Sequence, residues 1–190
     1  MPFRFRCRLA LLIALWLGFS SSSAAVEAER SFSPAGLTLH LLVTDASAPG
    51  TVFLSVASGL FKSVDSGRTW SWSGRGLGRD GLGALVSDPS RPGTLYALGS
   101  GYSADLFGST DGGASWRRLG APQLEDIHPL GRELAIDGSG TIYAAIGQVL
   151  VATSDRGATW GPIHDFNAPI QSLAIHPAAP GILYVANSSV

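Results

Sequence analysis

Apolar residues in this chain come in short groups that alternate with polar positions and stop at Gly, Pro, Asp or Ser. Residues 82–86, 94–98, 105–109 and 115–119 are the clearest set. Groups of this length and composition read as β-strands joined by tight turns. No window of eleven or more residues beyond the first 25 keeps a 3.6-residue apolar period, so the pattern predicts no substantial helix there. Four strands in about 45 residues is the content of one propeller blade.

The start of the chain follows a different pattern. Arg4, Arg6 and Arg8 precede an apolar run at residues 9–19, and Ser23, Ala24 and Ala25 follow it with small side chains. A basic head, a short apolar core and a small-residue cleavage site predict a secretory signal peptide over residues 1–25. The apolar run is too short for a bilayer-spanning helix, which needs about 20 residues. Cys7, the only cysteine, leaves with that peptide. No disulfide is then available in an oxidising compartment, and stability must come from packing. Residues 26–36 read as a short linker, and no membrane span is expected after cleavage. The predicted location is secreted or periplasmic.

The mature chain repeats itself. Ser63-Val64-Asp65-Ser66-Gly67-Arg68-Thr69-Trp70 recurs as Ser109-Thr110-Asp111-Gly112-Gly113-Ala114-Ser115-Trp116 and as Thr153-Ser154-Asp155-Arg156-Gly157-Ala158-Thr159-Trp160, with aspartates 46 and 44 residues apart. A second motif precedes each octapeptide and ends on Phe53, Tyr96, Tyr143 and Tyr184, at steps of 43, 47 and 41. Two motifs holding one period and one phase mark a repeat architecture. The units fall at residues 37–73, 82–119, 132–163 and, in part, 170–190.

The octapeptide has a mechanical reading. An Asp in a turn accepts hydrogen bonds from nearby backbone N–H groups, and the Gly two places on takes the positive φ that closes the hairpin. The hydroxyls of Ser63, Ser109 and Thr153 before the Asp, and of Thr69, Ser115 and Thr159 after it, tie the strand ends together. Trp70, Trp116 and Trp160 then cover the turn with an apolar ring. The same residues serving as acids or metal ligands is the weaker reading, because octapeptides in separate blades lie far apart.

These three segments resemble the Asp-box of the BNR-repeat β-propellers, a family that includes sialidases, xyloglucan-cleaving glycoside hydrolases, the sortilin ectodomain and photosystem II assembly factors. The resemblance spans residues 37–190. It implies an all-β propeller of four-stranded antiparallel blades, with each box between the third and fourth strands, peripheral and away from the ligand face. It does not fix an activity, since the family holds enzymes, receptors and assembly factors.

No catalytic constellation stands out, and the catalytic residues stay unknown. The aromatic-Arg-Ile-Pro motif of sialidases is absent from the mature chain, and Phe3-Arg4-Phe5 is an echo within the signal peptide. Asp80, Asp105, Glu125, Asp126, Glu133 and Asp165 are carboxylates outside the boxes, and each reads first as a solvated turn or loop group. Gly76, Gly78 and Gly81 match a dinucleotide fingerprint in spacing only, with no helix to follow. His40, His128, His164 and His176 never pair at metal-ligand spacing, so neither metal nor cofactor is expected. No nucleophile elbow occurs, and Asn187-Ser188-Ser189 has the form of a glycosylation sequon. The irregular segments are the candidate ligand face: residues 74–83, residues 101–105, and above all residues 117–132 with Arg117, Arg118, Glu125, Asp126, His128 and Arg132.

Composition narrows the field further. The chain has 190 residues, 24 Gly, 11 Pro and 14% charged side chains, with a net charge of −1. Charged residues usually make up roughly 25% of a soluble domain, so a disordered polyelectrolyte and a coiled coil are both excluded. Lys62 is the only lysine and the arginines are not clustered, which argues against nucleic acid as a partner. The sequence therefore predicts a noncatalytic binding, scaffold or assembly role with a protein or glycan ligand, the alternatives being a glycoside hydrolase or a fragment of one. The spacing places the box after Tyr184 beyond Val190, so about three and a half blades are expected, completed by self-association unless the product is truncated.

Overall fold

In a computed structural model the described residues are 39–45, 47–78, 81–100, 105–120, 132–176, 178–179 and 181–188. The expected signal peptide and linker lie outside them, as do Asp80, Glu125, Asp126 and His128.

Fourteen strands form four antiparallel sheets, each built from consecutive strands. Sheet one holds β1 (Leu39–Thr44), β2 (Val52–Val56), β3 (Gly59–Ser63) and β4 (Ser71–Trp72). Sheet two holds β5 (Leu82–Ser87), β6 (Leu95–Gly99), β7 (Leu106–Ser109) and β8 (Arg117–Gly120). Sheet three holds β9 (Arg132–Ile136), β10 (Ile142–Ile146), β11 (Val149–Thr153) and β12 (Gly161–Asp165), and the two-stranded fourth holds β13 (Ile170–Ile175) and β14 (Leu183–Asn187). No helix occurs among the described residues. The first strands, β1, β5, β9 and β13, pack against one another in succession, and the fourth strands lie outermost, with β12 exposed along its whole length.

Strand pleating gives each sheet two faces, and where two sheets are neighbours their facing sides are apolar. Phe53 and Leu60 of sheet one pack with Leu85, Leu95, Phe107 and Trp116 of sheet two. Tyr96, Leu98 and Leu106 from the other face of sheet two pack with Leu134, Ile142 and Val151 of sheet three. Tyr143 and Leu150 then meet Ile170 and Leu173 of sheet four. The core is thus three slabs in series, the packing of a repeat array and not of a single centre.

The turns come in two kinds at two ends. At one end each β1-type strand passes to the next through an aspartate-led turn: Asp45, Asp88 and Asp137 accept from the backbone N–H of Ser47, Ser90 and Ser139 at 2.9–3.0 Å. In sheet four His176 holds that place, and its Nδ1 accepts from Ala178 N. The octapeptides share this end, since Ser66 N donates to Gly50 O at 2.9 Å and Gly112 N to Gly93 O at 2.8 Å. The short β2–β3 and β10–β11 hairpins and the connections between sheets occupy the opposite end.

Candidate functional site

In the octapeptide turns, Asp65 Oδ1 accepts from Ser63 Oγ and from Thr69 N, both at 2.8 Å, and Thr69 Oγ1 donates to the other carboxylate oxygen. Ser63 Oγ in turn accepts from Gly67 N at 2.8 Å. The set repeats at Asp111 with Ser109, Gly113 and Ser115 and at Asp155 with Thr153, Gly157 and Thr159. Each aspartate carboxylate accepts from the backbone N–H four residues on and also from the one three residues on, and the serine or threonine before it takes the N–H of the glycine two residues on. Two consecutive residues have positive φ in each turn: Ser66 and Gly67, Gly112 and Gly113, Arg156 and Gly157. Hydrogen bonds from Thr69, Ser115 and Thr159, followed by those from Ser63, Ser109 and Thr153, hold the three carboxyls down at about 2. They are ionised at neutral pH, with their lone pairs engaged locally.

The tryptophans differ from one another. Trp70 Nε1 donates to Gly67 O within its own turn, whereas Trp116 Nε1 reaches across to Ser73 O of the preceding sheet at 2.8 Å. Lys62 Nζ crosses the same junction to Gly112 O at 2.7 Å and lies over the Phe53 ring. Trp160 Nε1 is buried with no acceptor among the described residues.

The candidate ligand-face residues do not form one cluster. Arg117 and Arg118 belong to the outer strand β8, so the connection expected from residue 117 reduces to residues 121–131. Arg118 pairs with Asp105 at 2.6 Å, and this hydrogen bond raises its pKa further. Arg132 is buried at the start of the innermost strand β9, with its Nη1 donating to Gly99 O at 3.1 Å. A Cβ at Gly83 would lie 2.9 Å from Arg132 Cβ, so the glycine makes room for the arginine stem. Burial lowers the Arg132 pKa and raises that of Glu133. Residues 74–78 cross from sheet one to sheet two, where Arg75 O accepts from Trp116 N at 2.8 Å.

At the hairpin end, the junction of sheets one and two opens into a pocket of about 320 Å³. Ser55, Ser58, Gly59, Leu60, Trp72, Gly74, Leu77, Gly78, Gly81 and Leu82 line it, and none of them is ionisable. Trp72 is largely exposed at the rim. Its Nε1 lies 3.0 Å from where a Cβ of Gly74 would be and 3.3 Å from one of Gly59, so the two glycines form its seat. On the pocket wall Ser55 Oγ is buried with no hydrogen-bond partner among the described residues. A buried hydroxyl left unpaired costs about 1–3 kcal/mol, and a ligand atom or a water relieves that cost. Residues 74–83, one of the segments expected on the ligand face, supply Gly74, Leu77, Gly78, Gly81 and Leu82 to this lining, whereas Ser55 and Trp72 were not expected: Ser55 looks like one more polar position in a strand, and Trp72 stands two residues beyond the repeated motif.

Among the described residues no group of His, Cys, Asp or Glu is arranged to hold a metal ion, and no helix is long and apolar enough to cross a membrane.

No family model matches the chain. A xyloglucanase of Hypocrea jecorina (strain QM6a) is 33% identical over 122 residues, covering 63% of this chain but 14% of that enzyme. An ancestral GH74 enzyme of solved structure superimposes with a TM-score of 0.64 at 17% identity, over 80% of this chain and 22% of its own. The structure titled "YCF48 bound to D1 peptide" follows at 0.55 and 16%, over 80% and 47%. A two component system extracellular domain from B. thetaiotaomicron gives 0.54 and 16%, over 72% and 19%. The chain thus spans about a seventh of the xyloglucanase and less than half of each of these structures, and what it shares with the solved structures is the fold. The four sheets are blades of a β-propeller.

Proposed function

We propose that the chain is an exported binding module whose ligand enters the pocket between the first two blades with an uncharged, ring-bearing group. The observation that carries this reading is the lining of that pocket. The indole of Trp72 offers a flat apolar face, the Ser55 hydroxyl offers one unused hydrogen bond, and the described lining residues carry no charge. Few polar groups in an apolar recess are the usual makeup of a ligand site. Hydrolysis of a glycoside asks for two carboxyl groups about 5–9.5 Å apart across the scissile bond. The octapeptide aspartates lie at the other end of the strands, ionised and engaged, so they serve the turns and not chemistry. Export is supported by the basic, apolar and small-residue order of residues 1–25, and by the extracellular domain among the similar structures.

Glycoside hydrolysis is the second reading, favoured by the likeness to a xyloglucanase. One experiment separates the two. The chain is titrated with xyloglucan oligosaccharides and with uncharged tyrosine-containing peptides, following tryptophan fluorescence, and released reducing sugar is assayed in parallel. Binding that disappears in Trp72→Ala and weakens in Ser55→Ala, without sugar release, supports the binding module. Turnover of xyloglucan refutes it, and intact mass beginning at Val26 checks export.

A further inference from the structure

The three octapeptide tryptophans hold equivalent places in their blades and make different bonds. Trp70 Nε1 donates to Gly67 O within its own turn, and Trp160 Nε1 is buried with no acceptor among the described residues. Trp116 is buried and grips the connection that leaves blade one. Its Nε1 donates to Ser73 O and its backbone N to Arg75 O, both at 2.8 Å. Its carbonyl oxygen lies 2.0 Å from where a Cβ of Gly76 would be, so position 76 admits no side chain. Ser73 Oγ completes the grip by donating to Gly113 O of the same octapeptide.

These contacts fall on residues 73, 75 and 76. The residues between and after them, Gly74, Leu77 and Gly78, line the pocket. Leu77 N turns back to Gly74 O at 3.1 Å, and the Leu77 side chain packs against the buried cluster that contains Trp116. Blade one also departs from the repeat where this pocket forms. Ser55 stands two residues beyond the aromatic of its strand, where blades two, three and four have Leu98, Ala145 and Ala186. Trp72 stands two residues beyond its octapeptide tryptophan, where the next two blades have Arg118 and Pro162. The altered residues and the grip of Trp116 thus meet at one junction.

We infer that Trp116 is a positioning residue of the ligand pocket: it fixes residues 73–76 so that Gly74, Leu77 and Gly78 keep their places opposite Ser55 and Trp72. The inference rests on the reading of that pocket as a ligand site. Trp116 is not among the lining residues and acts through the connection. It gives the second octapeptide a task that its aspartate turn does not have, since Trp116 passes the fixed geometry of that turn to the pocket floor. A floor ordered beforehand costs a ligand less to bind.

Trp116→Phe tests this, because it keeps an aromatic ring and removes the Nε1 donor. Hydrogen exchange of the ligand-free chain, read by mass spectrometry over peptides that contain residues 73–78, should quicken roughly fivefold, the weight of about one hydrogen bond. Trp160→Phe should leave exchange there as in the parent. Ser73→Ala removes the donor to Gly113 O with Trp116 intact. It should act in the same direction, and it replaces Trp116→Phe if far-UV circular dichroism shows that variant unfolded. Calorimetric titration with a xyloglucan oligosaccharide and with an uncharged tyrosine-containing peptide then reads the pocket. The dissociation constant of whichever probe binds should rise roughly 5- to 10-fold in Trp116→Phe. Gly157→Ala, strained at the junction of blades two and three, is the destabilised control and should lower Tm while leaving both readings unchanged. Parent-like exchange in Trp116→Phe, or equal weakening of the probe by Gly157→Ala, overturns the inference. A parent that binds neither probe refutes the ligand reading of the pocket instead, and the exchange rates still decide whether Trp116 holds its floor.

Discussion

Gly113→Ala isolates what holds one blade to the next. Gly113 has φ +85°, a conformation that costs an L-residue about 1–2 kcal/mol. Its new Cβ would also lie 2.7 Å from Cε1 and 3.2 Å from Cζ of Phe53, a ring fully buried in the slab between blades one and two. The ring has no free volume to move into, and overpacking of this kind costs about 1–3 kcal/mol. The expected total is about 2–5 kcal/mol. Gly67→Ala supplies the comparison, with φ +86° and a nearest described atom at 3.7 Å, in its own Trp70. Only the backbone part remains there, about 1–2 kcal/mol. Gly157→Ala, with Leu106 Cδ2 at 2.7 Å, should behave as Gly113→Ala does. Thermal unfolding followed by circular dichroism reads the difference, since 1 kcal/mol moves Tm by roughly 2–4 °C in a domain of this size. Equal Tm losses for all three variants would refute the claim that these glycines are required for close approach between blades.

Ser63→Ala leaves the part-buried N–H of Gly67 without its acceptor and Asp65 without a donor, and should cost about 1 kcal/mol in chemical denaturation. Ser63→Thr, the residue type found at position 153, should restore most of it. The pH dependence of stability follows from the three turn aspartates. Their folded pKa of about 2 lies below the ordinary aspartate value of 3.8, so their stabilisation is complete above about pH 4 and is lost as pH falls toward 2. Tm recorded between pH 7 and pH 2 should drop on that acid limb, and the triple Asp→Asn variant should show a flatter one; an unchanged slope contradicts the assignment. Gly76→Ala brings a Cβ to 2.0 Å from the Trp116 carbonyl oxygen. It should displace residues 74–78, break the Arg75–Trp116 backbone hydrogen bond and weaken any ligand of the neighbouring pocket, as read by fluorescence titration.

The strands were legible because their signal is local. Residues 82–86 and 94–98 become β5 and β6 with shifts of a residue at most, since apolar groups bounded by Gly, Pro and Asp have no other way to bury one face per blade. The octapeptide turns were legible in kind and not in detail. Glycine at the second positive-φ position is visible in the sequence, but Ser66 and Arg156 are not residues that advertise a left-handed conformation. At Ser66 the conformation is held by the paired strands and by the bond from Ser66 N to Gly50 O, a contact set by the turn of the neighbouring strand pair.

Only the floor of the pocket, within residues 74–83, was legible, because the rest of it depends on no local pattern. Its wall comes from β2, its rim from the end of blade one, and its floor from the connection to β5. Each piece reads as scaffold alone, and Ser55 becomes notable only once Leu60, Leu77 and Leu82 surround it. The arginines show the converse. Arg117, Arg118 and Arg132 look like one basic segment in the sequence, yet a strand that ends at Gly120 and another that begins at Arg132 separate them from the rim to the centre of the arc. Arg132 is held there by Gly99 O and admitted by Gly83, two backbone features of the preceding blade. In a propeller, then, the residues that share a site sit at matching strand ends of adjacent blades. Separation by about half a repeat, as between Ser55 and the connection that follows its blade, carries more information than adjacency in sequence.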